Sequence, residues 1–155
     1  MKKIYTIGHS NKPVKELINL LLENKIEVLI DVRSIPYSKY NPQFNRESLQ
    51  IDTKKALILY VYRGRNLGGL KGNTDWQKSI DEICEKCNNR RIAVMCSEGN
   101  PNDCHRQSDI QPAVEKQGVE VEHILWPLSP TKQKEFDKRI AREKERAFKP
   151  VTLFD

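Results

Sequence analysis

Long apolar runs are missing from this 155-residue chain. None approaches the ~18 residues that a membrane-spanning helix requires, which excludes a helical membrane protein. A secretory leader needs an apolar stretch of about 7–15 residues and a small-residue cleavage site. Neither follows Met1-Lys2-Lys3, where a short apolar run meets His9 at once. A cytoplasmic location is therefore the expectation. Cysteine is scarce, with four residues, and glycine (7) and proline (8) are ordinary in number. Disulfide-scaffold and collagen-like classes fall away on those counts. In a reducing compartment Cys84, Cys87, Cys96 and Cys104 are expected as thiols, metal ligands or redox groups rather than bridges. The chain has no internal repeat and no low-complexity stretch.

Hydrophobic residues make up 37% and charged residues 31%, a polar balance that is still too apolar for general disorder. A chain of this length buries roughly 70% of the surface that its unfolded form exposes, enough for one domain without a staple. The formal net charge is +6. Half of that excess falls in residues 131–155, where eight basic residues mix with five acids around a thin apolar stripe of Phe136 and Ile140. This segment reads as a charged helix at the end of a domain spanning 1–130.

Within that domain apolar segments alternate in kind. Lys3–Ile7, Glu27–Val32, Leu57–Tyr62, Arg91–Cys96 and Val119–Leu125 read as strands. Pro13–Lys25 has Val14, Leu17, Ile18, Leu21 and Leu22 at helical spacing, with proline suited to a helix start. Arg46–Ala56, Asp75–Asn88 and Cys104–Gln117 also read as helices, the last stopped by Gly118. Arg33–Asn45, Arg63–Thr74 and Ser97–Asp103 read as loops. Alternating strands and helices predict an α/β domain with a mostly parallel sheet of about five strands flanked by helices.

Ligands of open parallel sheets bind outside the carboxyl ends of the strands. The residues that follow each strand are unusually polar. They are His9 and Ser10, then Arg33 and Ser34 after Asp31, then Arg63 and Arg65, then Ser97 and Glu98 after Cys96; His123 lies in the fifth strand. Cys96 closes a strand before a turn that leads into a helix, where backbone N–H groups can surround an anion or stabilise a thiolate. Two readings stand: a nucleophile, with His9 or Glu98 moving protons and Cys104 resolving an adduct, or an inert buried thiol. Ser10, Arg33, Ser34, Ser97, His105 and Arg106 complete a candidate cradle for a small anionic or phosphate-bearing ligand. His9, Cys96, Cys104 and His105 also make a set that zinc accepts, although their spacing is not that of a common zinc pair, so no metal and no cofactor is assigned. Cys84 and Cys87 match C-x-x-C but lie inside a helix, where packing is the plainer role. Asp31 either orients loop donors or caps the loop. Asn66-Leu67-Gly68-Gly69 shapes a tight turn. Tyr37, Tyr40 and Phe44 alternate with Lys39 and Arg46, a pattern that anchors a loop or stacks on bases.

Several of these stretches together resemble the family of domain of unknown function DUF488. They are Tyr5-Thr6-Ile7-Gly8-His9-Ser10, Asp31-Val32-Arg33-Ser34 with Pro36 and Ser38, and Asn41-Pro42 with Phe44. Leu67-Gly68-Gly69, Cys96-Ser97-Glu98, Cys104-His105-Arg106 and His123-Ile124 follow in the same order. The resemblance spans residues 3–126 and implies a compact α/β domain but no reaction. It also implies that His9, Arg33, Cys96, Glu98, Cys104, His105 and Arg106 belong to the family's pattern. Ile30-Asp31-Val32-Arg33, and Val94-Met95-Cys96 through Gly118, are more weakly similar to rhodanese-type sulfurtransferases. The longer loop, with Glu98, Pro101 and a second cysteine, departs from that plan. A thiol-dependent enzyme with an anion site is the first functional expectation. A nucleic-acid-associated protein, using the basic tail and the aromatic loop, is the alternative.

Overall fold

The computed structural model describes residues 2–67, 74–99, 109–127 and 130–147. They divide into two compact units, Met1–Leu125 and Trp126–Asp155. The first holds five strands: β1 (Lys3–Gly8), β2 (Val28–Asp31), β3 (Leu59–Tyr62), β4 (Ile92–Cys96) and β5 (Glu120–His123). Between them lie α1 (Val14–Glu23), α2 (Arg46–Lys55), a four-residue helix α3 (Gly64–Leu67), α4 (Thr74–Lys86) and α5 (Gln111–Glu115). The sheet runs in the order β3-β2-β4-β1-β5, and every neighbouring pair is parallel. The expected α/β class and the parallel five-stranded sheet are both present.

The period-2 alternation of the strands sorts the core into two layers. Ile4, Ile30, Ile92, Val94 and Cys96 cluster with Trp76, Ile80 and Ile83 of α4 and with Ile110 and Val114 around α5. The other face of the sheet carries Tyr5, Ile7, Leu29, Ala93 and Met95, all buried. α1 and α2 supply Leu17, Leu21 and Leu49 as its apolar cover. Among the described residues no helix is long and apolar enough to cross a membrane.

Three helices hand the chain to a strand through the same cap. After α1, Lys25 takes φ 57, and Ile26 N–H bonds back to Leu21 O at 3.0 Å. After α2, Leu57 takes φ 61, and Ile58 N–H bonds to Thr53 O at 2.9 Å. After α5, Gly118 takes φ 79, and Val119 N–H bonds to Val114 O at 3.2 Å. This is the Schellman arrangement, in which a left-handed residue lets the chain reverse and satisfies the last helical carbonyls. A Cβ at Gly118 would meet nothing within 4 Å, so its replacement tests backbone conformation alone. Gly118→Ala should cost about 1 kcal/mol, read as a lower urea midpoint with an unchanged slope.

Four sequence expectations need correction. Arg63–Thr74 is not wholly loop, because Gly64–Leu67 closes one helical turn and α4 already starts at Thr74. The loop Arg33–Asn45 contains a 3-10 turn at Pro42–Phe44, with proline at its start. The third strand begins at Leu59 rather than Leu57, since Leu57 is taken by the cap of α2. The fifth strand is shorter than expected, Glu120–His123. Of the expected helix Cys104–Gln117, residues 104–108 lie outside the described part and α5 covers Gln111–Glu115.

The second unit holds one helix, α6 (Pro130–Ala147), with no buried residue. Its polar surface is braced by Gln133–Asp137 at 2.9 Å and Arg139–Glu143 at 4.0 Å. The Arg139 guanidinium lies over the Phe136 ring at 5.4 Å. Contacts of this i,i+4 kind each add only a few tenths of a kcal/mol, about 0.2–0.5.

Candidate functional site

The carboxyl edge of the sheet is organised by one buried carboxylate. Asp31 closes β2 with no exposure, on the face that carries Tyr60 of β3. Its Oδ1 accepts from the backbone N–H of Arg33 at 3.0 Å and from Arg33 Nε at 2.9 Å. Its Oδ2 accepts from Arg33 Nη2 at 2.7 Å and from the Tyr60 hydroxyl. An Asp-x-Arg sequence can make this ring, because the chain turns out of the strand directly after Asp31. Arg33 is 6% exposed, so the pair is desolvated and bidentate, the geometry in which arginine serves better than lysine. Burial acts against the charge of Arg33, but the hydrogen bonds and charge of Asp31 outweigh it and hold its pKa above the ordinary value. Burial, with Asp31 as the next cause, also pushes the Tyr60 hydroxyl up, so Tyr60 remains a donor.

Arg33 has two further partners. Nη2 donates to Phe44 O at 2.8 Å, tying the end of the 3-10 turn to β2. Nη1 faces His9 Nε2 at 3.4 Å. The His9 ring stacks on Phe44, with centroids 4.4 Å apart. Its Nδ1–H donates to Ser10 O at 2.6 Å, which fixes the tautomer and leaves the Nε2 lone pair turned toward Arg33. Burial lowers the His9 pKa to about 4; the Ser10 carbonyl works against that shift, while the Arg33 charge adds to it. The imidazole is therefore neutral at pH 7, with one basic nitrogen held beside a guanidinium. Ser10 takes φ 53, a left-handed conformation that a non-glycine residue adopts at a cost. Strained residues of this sort gather at functional sites.

The turn after β4 lies directly over the end of β1. His9 N–H donates to Cys96 O, and Ser10 N–H to Ser97 O, each at 3.0 Å. A Cβ on Gly8 would stand 1.6 Å from Glu98 O, so only glycine permits this approach. The side chains diverge from there. His9 turns to Arg33 and Phe44, whereas Cys96 is 2% exposed in the cluster beneath α4 and α5. The Cys96 thiol donates to Glu98 O at 3.5 Å. Ser34, Ser97 and Glu98 are exposed and Ser10 is half-buried. Cys104, His105 and Arg106 lie outside the described residues, so the cradle and the zinc set that include them are described only in part. Among the described residues no group of three histidine, cysteine or acidic side chains is placed to hold a metal ion.

Other sequence candidates resolve into packing. Cys84 in α4 and Cys87 directly after it are buried, with the Cys87 thiol donating to Cys84 O at 3.2 Å. Burial, with Cys87 as the next cause, raises the Cys84 thiol to about 11, and burial also raises Cys87. His123 bonds Thr6 Oγ1 at 2.5 Å and Gln111 Oε1 at 2.9 Å, which joins β5 to β1 and α5. Phe44 acts as the anchor of its loop, while Tyr37 and Tyr40 are exposed. Sequence reasoning missed the parts of Tyr60 and Tyr62. Tyr62 donates to Arg33 O at 2.9 Å and Ser34 O at 3.0 Å. Their only signal was a pair of hydroxyl-bearing rings two apart in LILYVY.

Residues 13–79 match the model of Domain of unknown function DUF488. The match takes in Asp31, Arg33, Phe44, Tyr60 and Tyr62, that is the buried ion pair and its partners other than His9. His9 and the Cys96 turn lie outside it. No curated protein and no solved structure matches the chain. The likeness to rhodanese-type sulfurtransferases gains no support from these comparisons.

Proposed function

We propose that the carboxyl edge of the sheet binds a small anionic or phosphate-bearing ligand, and that Cys96 acts there as the thiol of a Cys-dependent transferase or hydrolase. The observation that carries this reading is His9, a neutral imidazole with a fixed tautomer beside the Arg33 guanidinium. Such a pair offers one proton acceptor and one cationic donor at the same point, the requirement for acid–base work on an anion. The end of β4 and the turn after it are bonded to the backbone of His9 and Ser10, which sets the thiol-bearing residue and the imidazole-bearing residue at the same end of the sheet. Ser10, Ser34 and Ser97 border the same edge and add hydroxyl donors. Glu98 would serve as the second proton carrier, and His105, Arg106 and Cys104 would complete the cradle.

Alkylation by iodoacetamide between pH 6 and 9, with peptide mapping, tests the reading. The raised pKa values of Cys84 and Cys87 keep both slow at pH 7, so their background is small. Cys96 should react faster than free cysteine, and inorganic phosphate should slow it about fivefold or more. A Cys96 that reacts no faster than Cys84, or is indifferent to phosphate, overturns the proposal.

A further inference from the structure

Among the described residues β3 is an edge of the sheet, with β2 as its neighbour on one side. Its odd residues face β2: Leu59 N–H donates to Glu27 O at 2.9 Å and Arg63 N–H to Asp31 O at 2.8 Å. Tyr60 and Tyr62 therefore turn their backbone groups outward. The Tyr62 carbonyl accepts from Arg63 Nη1 at 3.0 Å. Among the described residues the Tyr60 and Tyr62 N–H groups donate no hydrogen bond and the Tyr60 carbonyl accepts none. Proteins commonly blunt such an edge, because it is a template for another strand.

The same strand borders a cavity of about 390 Å³ on the α4 face of the sheet. Its walls are Val28, Ile30, Leu59, Val61, Ile83 and Ile92. Leu59 is 62% exposed there, an aliphatic side chain left in water on an open edge. The rim carries Arg63, Lys86, Arg90 and Glu82, and Arg90 meets Glu27 at 3.5 Å. The Glu82 carboxylate is already shared, with Lys86 at 2.9 Å and Arg63 at 3.5 Å. Three cations thus face two carboxylates, Glu82 and Glu27, around an apolar trough that runs beside the outward backbone groups of β3.

We propose that β3 is a docking edge for an extended peptide with aliphatic residues at alternate positions and a carboxylate at each end. The peptide adds as a further strand on Tyr60 and Tyr62. Every second side chain enters the trough, and the flanking carboxylates meet Arg63 at one end and Lys86 or Arg90 at the other. Main-chain bonds supply affinity in this mode and the alternate pockets supply specificity. The site stands apart from the carboxyl-edge ligand and does not depend on it.

The probe is the acetylated, amidated peptide Glu-Val-Thr-Leu-Thr-Val-Glu, added to the full chain. Hydrogen exchange at the Tyr60 and Tyr62 amides should slow on binding. A peptide with lysine at both ends should bind about tenfold or more weakly. Leu59→Asp should weaken binding by a similar factor at an unchanged Tm, since Leu59 is largely exposed. Unchanged exchange at those two amides with the peptide bound would reduce the site to its trough and overturn strand addition. Equal affinity for the two peptides, full binding by Leu59→Asp, or pairing of the chain with itself through β3 in place of the peptide would overturn it equally.

Discussion

Arg33→Met should lower the free energy of unfolding by about 3–5 kcal/mol, the usual cost of removing one partner from a buried ion pair. The cost arises on the side that remains. Asp31 is fully buried and would retain only the backbone N–H of residue 33 and the Tyr60 hydroxyl. The Phe44 carbonyl would lose its guanidinium donor as well. The double variant Asp31→Asn with Arg33→Met removes the stranded charge, while the new side-chain amide oxygen can still accept from Tyr60. It should be more stable than Arg33→Met alone by about 1 kcal/mol or more, because neutral replacements of buried pairs are tolerated better than half-pairs. Urea unfolding of the two variants beside the parent measures both differences. A double variant less stable than the single one would mean that Asp31 contributes through its neutral contacts rather than through its charge.

Acid should weaken the fold through His9. The folded pKa is about 4, and an unfolded histidine titrates near 6.5. Above pH 6.5 both states hold a neutral ring, and the stability is fully present. As pH falls from 6.5 to 4, the unfolded chain takes up a proton that the folded chain does not, so unfolding gains. Below about 4 both states are protonated, and the loss is complete. The window spans about 2.5 pKa units, roughly 3 kcal/mol at 1.36 kcal/mol per unit. Urea midpoints at pH 6.5 and 4.5 should therefore differ strongly in the parent and much less in His9→Gln. Parallel pH slopes for the two proteins would rule out His9 as the source.

The parallel sheet was legible because its strands are buried on both sides and read as unbroken apolar runs, such as VLIDV and RIAVMC. The carboxyl-edge rule then placed His9, Arg33 and Cys96 at one end of the fold. Which face each side chain takes was not legible, since a single residue of register decides it. Cys96 and Asp31 close adjacent strands, yet one enters the α4 layer and the other anchors Arg33 on the opposite layer. The part of Tyr60 was hidden for a related reason. Tyrosine is an ordinary strand residue until a carboxylate sits opposite its hydroxyl. Strand ends were blurred where a helix cap lacked glycine, as at Lys25 and Leu57.

The strand order also sets a schedule for folding. β4 lies between β1 and β2, so the first two strands of the chain never touch as neighbours. β2 and β3 can pair as soon as they exist, but β1 has no partner until residues 92–96 or 120–123 arrive. The contacts at His9 wait longer than their place in sequence suggests, because Cys96 O must come first. Long-range parallel pairing of this kind is slow, since loop closure precedes the contacts that reward it. During synthesis the apolar Lys3–Gly8 segment therefore stays exposed while most of the sheet unit is being made. It is the stretch most open to mispairing before β4 is inserted.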